Sequence, residues 1–93
     1  MVRTFGPGMA ARLATRLQEL DAATSLADIR ALPQARAHQL EGDRDEQISV
    51  DLLHPFRLIL SVEDDPVPRR PDGGLDWDLI RTVTVLEIGD THG

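Results

Sequence analysis

Residues 47–62 read Gln47-Ile48-Ser49-Val50-Asp51-Leu52-Leu53-His54-Pro55-Phe56-Arg57-Leu58-Ile59-Leu60-Ser61-Val62, and their pattern decides the fold. Ile48, Val50 and Leu52 alternate with Ser49, Asp51 and Leu53. After a break, Leu58, Leu60 and Val62 alternate with Arg57, Ile59 and Ser61. A period of two puts alternate side chains on opposite faces of an extended strand, so each run presents one apolar face. The break itself is His54-Pro55, where a proline without an N–H favours a turn. Two strands joined by a turn make a hairpin.

Upstream of this hairpin the period is helical. Met9, Leu13, Leu17 and Leu20 recur at spacings of four, four and three, an apolar stripe that leaves Arg12, Arg16 and Glu19 outside it. Pro7 suits a helix start, which predicts a helix over about 7–22. Ser25 followed by Asp28 resembles a capping box opening a second short helix that Pro33 stops. A short strand over Ala37–Leu40 leads into the turn Glu41-Gly42-Asp43-Arg44, and a last strand is expected over Thr82–Ile88. Helices over about 7–32 followed by an antiparallel meander over about 36–89 make a single α+β domain. Between the hairpin and the last strand lies an acidic stretch rich in Pro and Gly, residues 63–78. It is expected to be a mobile loop with Trp77 anchoring its far end.

Ninety-three residues suffice for one core but not two. The hydrophobic share is 41%, with only two Phe and one Trp, so aliphatic side chains must fill that core. Apolar runs fall short of the ~20 residues a membrane helix needs, and the N-terminus lacks a signal-peptide pattern. Cysteine is absent, which excludes a disulfide framework and a thiolate metal site. Together these features predict a cytoplasmic protein with no membrane segment. A net charge of −6 weighs against an ordinary nucleic-acid binder, but the charge is uneven. Residues 1–36 carry +2 and residues 37–93 carry −8, and every basic residue is Arg. Arginine offers a planar fork of donors that matches phosphate.

Three histidines are the first candidates for proton transfer, because imidazole ordinarily titrates near pH 6.5. His54 precedes Pro55 in the turn and reads as structural. His38 falls in a strand, and His92 lies just beyond the last one, two residues after Asp90. A carboxylate at that spacing can orient and charge the ring. Arg57 opens an otherwise aliphatic strand, where it either reaches out to solvent or holds its guanidinium rigidly for a phosphate. No His-x-x-x-His helix, Gly-rich phosphate loop or Gly-x-Ser-x-Gly elbow is present, so neither metal nor any other cofactor is expected.

The order of these motifs resembles a known family. Leu32-Pro33, the run His38-Gln39-Leu40-Glu41-Gly42-Asp43-Arg44, Gln47 to Leu52, His54 to Leu60 and the tail Leu86-Glu87-Ile88-Gly89-Asp90-Thr91-His92 are together similar to the HigB-type toxins of the RelE/ParE superfamily. The similarity spans nearly the whole chain. It implies a RelE-like fold, with an α-helical hairpin packed on a twisted, mainly antiparallel sheet. It also implies a toxin of a type II toxin-antitoxin system, neutralised by a helix-turn-helix, HigA-like antitoxin, with which a heterotetramer is possible. The implied activity is metal-independent cleavage of mRNA on the ribosome, with the RNA 2′-hydroxyl as nucleophile. By position, His92 matches the C-terminal catalytic His, Asp90 its acidic neighbour, Arg57 the strand Arg at the phosphate, and His38 a His ahead of the turn in some members. Arg44 is a second cation for RNA.

Departures from the family pattern keep a different reading open. Glu41 stands where a Lys is usual, Thr91 where a Tyr is usual, and Asp45-Glu46 adds two negative charges near Arg44. The family usually begins with a strand and a short helix, whereas this chain begins near the second helix. The alternative is a RelE/ParE-fold protein that binds its antitoxin or another target without cutting RNA.

Overall fold

The structure is a computed structural model that describes residues 6–44 and 46–90. Helix α1 runs Pro7–Ala22 and helix α2 Leu26–Arg30, followed by a 3-10 turn at Pro33–Ala35. Strand β1 is His38–Gln39, and a second 3-10 turn, Gly42–Arg44, leads to β2, Gln47–Asp51. Strands β3, Phe56–Val62, and β4, Val83–Asp90, complete one sheet in the order β1-β2-β3-β4. All neighbours are antiparallel. The fold is α+β, as the change of period near residue 36 predicts. The last strand runs two residues beyond its expected end, and β1 is half its expected length. No helix is long and apolar enough to cross a membrane among the described residues.

Register sorts the strand residues onto two faces. Ile48 opposes Leu60 and Val50 opposes Leu58, and all four are buried with Val62 under the helices. Met9, Leu26, Ile29, Ala35, Leu75, Trp77 and Ile80 complete that core. Each large aliphatic side chain removed from water contributes ~1.5–3 kcal/mol, which is what holds helix to sheet. The opposite face carries Ser49, Asp51, Arg57, Ile59, Glu87 and Gly89. A β-bulge between Ile59 and Leu60 interrupts the β3–β4 ladder, where Glu87 faces Ile59 and Val85 faces Leu60.

Helix α1 corrects one expectation. Arg16, placed off the apolar stripe from its charge, is 2% exposed, while Leu17 is 42% exposed. The inward stripe is Met9, Leu13, Arg16 and Leu20, with spacings of four, three and four. Arg16 tolerates burial because its guanidinium donates on three sides. Nε reaches the Asp51 carbonyl at 2.7 Å, Nη2 the Gln34 carbonyl at 2.8 Å and Nη1 the Glu19 carboxylate at 3.0 Å. One side chain thus joins α1, the 3-10 turn and the end of β2.

Helix α2 is not capped as a box. Ser25 makes no side-chain cap, and Asp28 accepts instead from the Thr24 N–H at 2.8 Å and the Thr24 hydroxyl at 2.9 Å. The first helical N–H groups find other acceptors: Leu26 donates to the Ile80 carbonyl and Ala27 to that of Trp77. Those bonds, with Arg30 stacked 5.0 Å from the Trp77 ring centre, fasten the far end of the 63–78 segment to α2. Its near part is also tied. The Asp64 carboxylate accepts from the backbone N–H groups of Arg81 and Thr82, Arg69 bonds Glu46, and Val67 packs against the core.

Candidate functional site

The outer face of the sheet collects the polar residues in rows. Asp51, Arg57 and Gly89 form one row across β2, β3 and β4; His38, Ser49, Ile59 and Glu87 form the next, across all four strands. At the end of these rows lies a cavity of about 300 Å³ whose wall includes Arg36, His38, Asp51, His54, Phe56 and Arg57. Two guanidinium groups and two imidazoles against one carboxylate make it basic, although the chain as a whole is acidic. A second hollow, about 240 Å³ between α1 and α2, is lined by Glu19 and Asp28 with apolar neighbours and offers nothing to an anion.

The sheet positions these groups. Arg57 lies in β3, an interior strand rather than an edge, and is partly exposed on the outer face. Its Nε is buried and finds no hydrogen-bond partner among the described residues. The same holds for the Ser49 hydroxyl, one row away. Buried polar atoms are nearly always paired, because leaving one unpaired costs about 1–3 kcal/mol. Two orphans on one face mark a place where folding has not met the demand for hydrogen bonds. Gly89, opposite Arg57, has no side chain to fill the space from the β4 side.

His38 has a defined tautomer. Its Nδ1 lies 3.1 Å from the Arg36 carbonyl, which only accepts, so Nδ1 carries the proton. The neutral ring therefore presents Nε2 as a bare lone pair, the form a general base requires. Arg36 itself has φ 46°, in the left-handed region that costs a non-glycine residue about 1–2 kcal/mol. Strain of this sort concentrates at functional sites. Here it turns the chain into β1 with Arg36 beside the cavity, its Nε 3.5 Å from the Asp51 carboxylate. That pair is largely exposed and holds Arg36 only loosely.

Of the residues singled out in the sequence, His38 and Arg57 meet at the cavity. The Asp90 backbone pairs with Phe56, so β4 ends beside the same wall. The Asp90 side chain, Thr91 and His92 lie outside the described residues. Arg44 is elsewhere on the outer face, donating to Gln47 at 2.8 Å and pairing with Glu87 at 3.5 Å. Glu41, the departure beside it, is exposed. His54, read as structural, lines the cavity with His38. Arg36, Asp51 and Phe56 were not singled out at all. Register holds the missing signal: once His38 is set against Ser49, Arg36 must fall against Asp51. Among the described residues no three His, Asp or Glu side chains gather as a metal site. No protein-family model, curated protein or solved structure matches this chain.

Proposed function

We propose that the chain is a HigB-type toxin of a type II toxin-antitoxin system, cutting mRNA on the ribosome at the cavity beside Arg57. The observation that carries this reading is the buried Arg57 Nε, without a hydrogen-bond partner among the described residues, on the wall that also holds His38. In the proposed reaction, His38 Nε2 takes the proton of an RNA 2′-hydroxyl. The 2′-oxygen then bonds to the neighbouring phosphorus, and Arg57 stabilises the charge on the pentavalent phosphate. The bond to the 5′-oxygen breaks, and His92, oriented by Asp90, supplies its proton. The products are a 2′,3′-cyclic phosphate and a 5′-hydroxyl end. This assignment needs no metal. A helix-turn-helix antitoxin encoded beside the chain is the proposed partner, and the cytoplasm the proposed compartment.

Arg44 favours a second reading. It is held by Glu87 and Gln47, with Glu41 nearby in place of a cation, which suits a protein that binds its antitoxin or another target without cutting RNA. Single-turnover cleavage of mRNA on programmed ribosomes separates the two. Cleavage that stops in Arg57→Ala and in His92→Ala supports the toxin reading. An inert wild type that still binds its neighbouring gene product supports the binder.

A further inference from the structure

We infer that the cavity is a one-nucleotide site, with the turn between β2 and β3 holding the base and Arg36 and Arg57 holding the phosphate. The inference rests on the RNA-cleaving reading but concerns binding alone. Its first support is the division of the wall. Cationic groups enter from the β1 side and from the start of β3, as Arg36 and Arg57. The turn contributes Leu52, His54, Pro55 and Phe56, a run of apolar and flat side chains. A nucleotide has the same two parts, a charged phosphate and a planar base that stacks on rings.

Size is the second support. About 300 Å³ is the lower end of small-molecule sites, enough for one nucleotide and not for a stretch of strand. Third is the way the wall is held. Arg16 ties the Asp51 carbonyl, just before the turn, to the Gln34 carbonyl, just before Arg36. The two halves of the site are thus fixed to one buried guanidinium, and a fixed site loses less on binding than one that must be ordered.

Titrating the isotopically labelled full chain with adenosine 3′-monophosphate, adenosine and inorganic phosphate, each alone, tests this by amide NMR. The nucleotide should shift Arg36, His38 and His54 to Arg57 in a saturating way. Adenosine and phosphate should each bind at least about tenfold more weakly, since each meets half the site. His54→Ala should lower nucleotide affinity about tenfold while leaving phosphate binding unchanged. Phe56→Leu should act the same way, and Arg57→Gln should weaken both ligands. Phosphate binding as well as the nucleotide, shifts centred elsewhere, or unchanged nucleotide affinity in His54→Ala would each overturn the inference. If the nucleotide binds as described but programmed ribosomes give no cleavage, the endonuclease reading falls and the nucleotide site stands. If cleavage occurs but the nucleotide does not bind, the reverse holds.

Discussion

The two arginines that the sheet half-encloses have opposite circumstances. On the inner side, Arg16 is almost fully buried and every arm of its guanidinium has an acceptor. On the outer side, Arg57 has a buried Nε with no partner among the described residues. The same chemical group is thus completed by folding in one place and left incomplete in the other. A satisfied buried cation raises the cost of unfolding; an unsatisfied one lowers stability and keeps a donor ready for a ligand. Proteins accept such losses where a site requires them.

Replacing each arginine by methionine, similar in length and uncharged, tests the contrast most directly. Arg16→Met strands the Asp51 and Gln34 carbonyls and leaves Glu19 without its cation, and should cost about 3–5 kcal/mol. That is a large part of the ~5–15 kcal/mol holding a small domain, so urea denaturation should show a strongly reduced midpoint. A loss under about 1 kcal/mol would mean the network contributes little. Arg57→Met should do the reverse. Cleavage on programmed ribosomes should fall ~10²–10³-fold, the range for losing one charge-stabilising donor, while the urea midpoint holds or rises. A destabilised Arg57→Met would show that its side chain serves the fold.

Ser49 sharpens the same comparison at a smaller scale. Its hydroxyl is buried without a partner among the described residues, so Ser49→Ala removes an unmet demand and should leave stability unchanged or raise it by up to about 1 kcal/mol. A clear drop in thermal midpoint would mean that the hydroxyl is bonded after all. The smallest effect belongs to Asp28. Hydrogen bonds from the Thr24 N–H and then the Thr24 hydroxyl hold its carboxyl below the ordinary value of 3.8. A folded value below the unfolded one contributes stability that is present above about pH 4 and lost as pH falls through the folded value. Asp28→Asn should therefore flatten the acid end of the stability profile slightly and change little at neutral pH.

Much of this fold is legible in residues 47–62, because strand alternation depends only on local pattern. The helix start at Pro7 and the turn at His54-Pro55 are equally local. Arg16 could not be read this way. Its burial depends on carbonyls 18 and 35 residues away, which no window on a helix contains. The place of His54 on the cavity wall was out of reach for a related reason: a turn residue's surroundings come from the strand beside it, here β1, not from its neighbours in sequence. Val67 packs on the core from within residues 63–74, whose acidic and Pro/Gly content promised little apolar burial. The site was legible only in part, since His38 and Arg57 stand out by residue type whereas Arg36 joins them through register and an unusual φ.

The β-bulge has a consequence for how the molecule meets other copies of itself. Among the described residues strand β4 is an edge, eight residues long, with Val85 and Leu86 substantially exposed. A flat edge of that length offers unpaired N–H and C=O groups to any passing strand. Because Glu87 opposes Ile59 and Val85 opposes Leu60, Leu86 has no residue opposite it, and bulges of this type increase twist and bend the strand. An incoming strand cannot follow that contour with regular spacing, and it would meet the Glu87 carboxylate midway. The irregularity that interrupts the sheet's own ladder thus makes β4 a poor template for edge-to-edge aggregation.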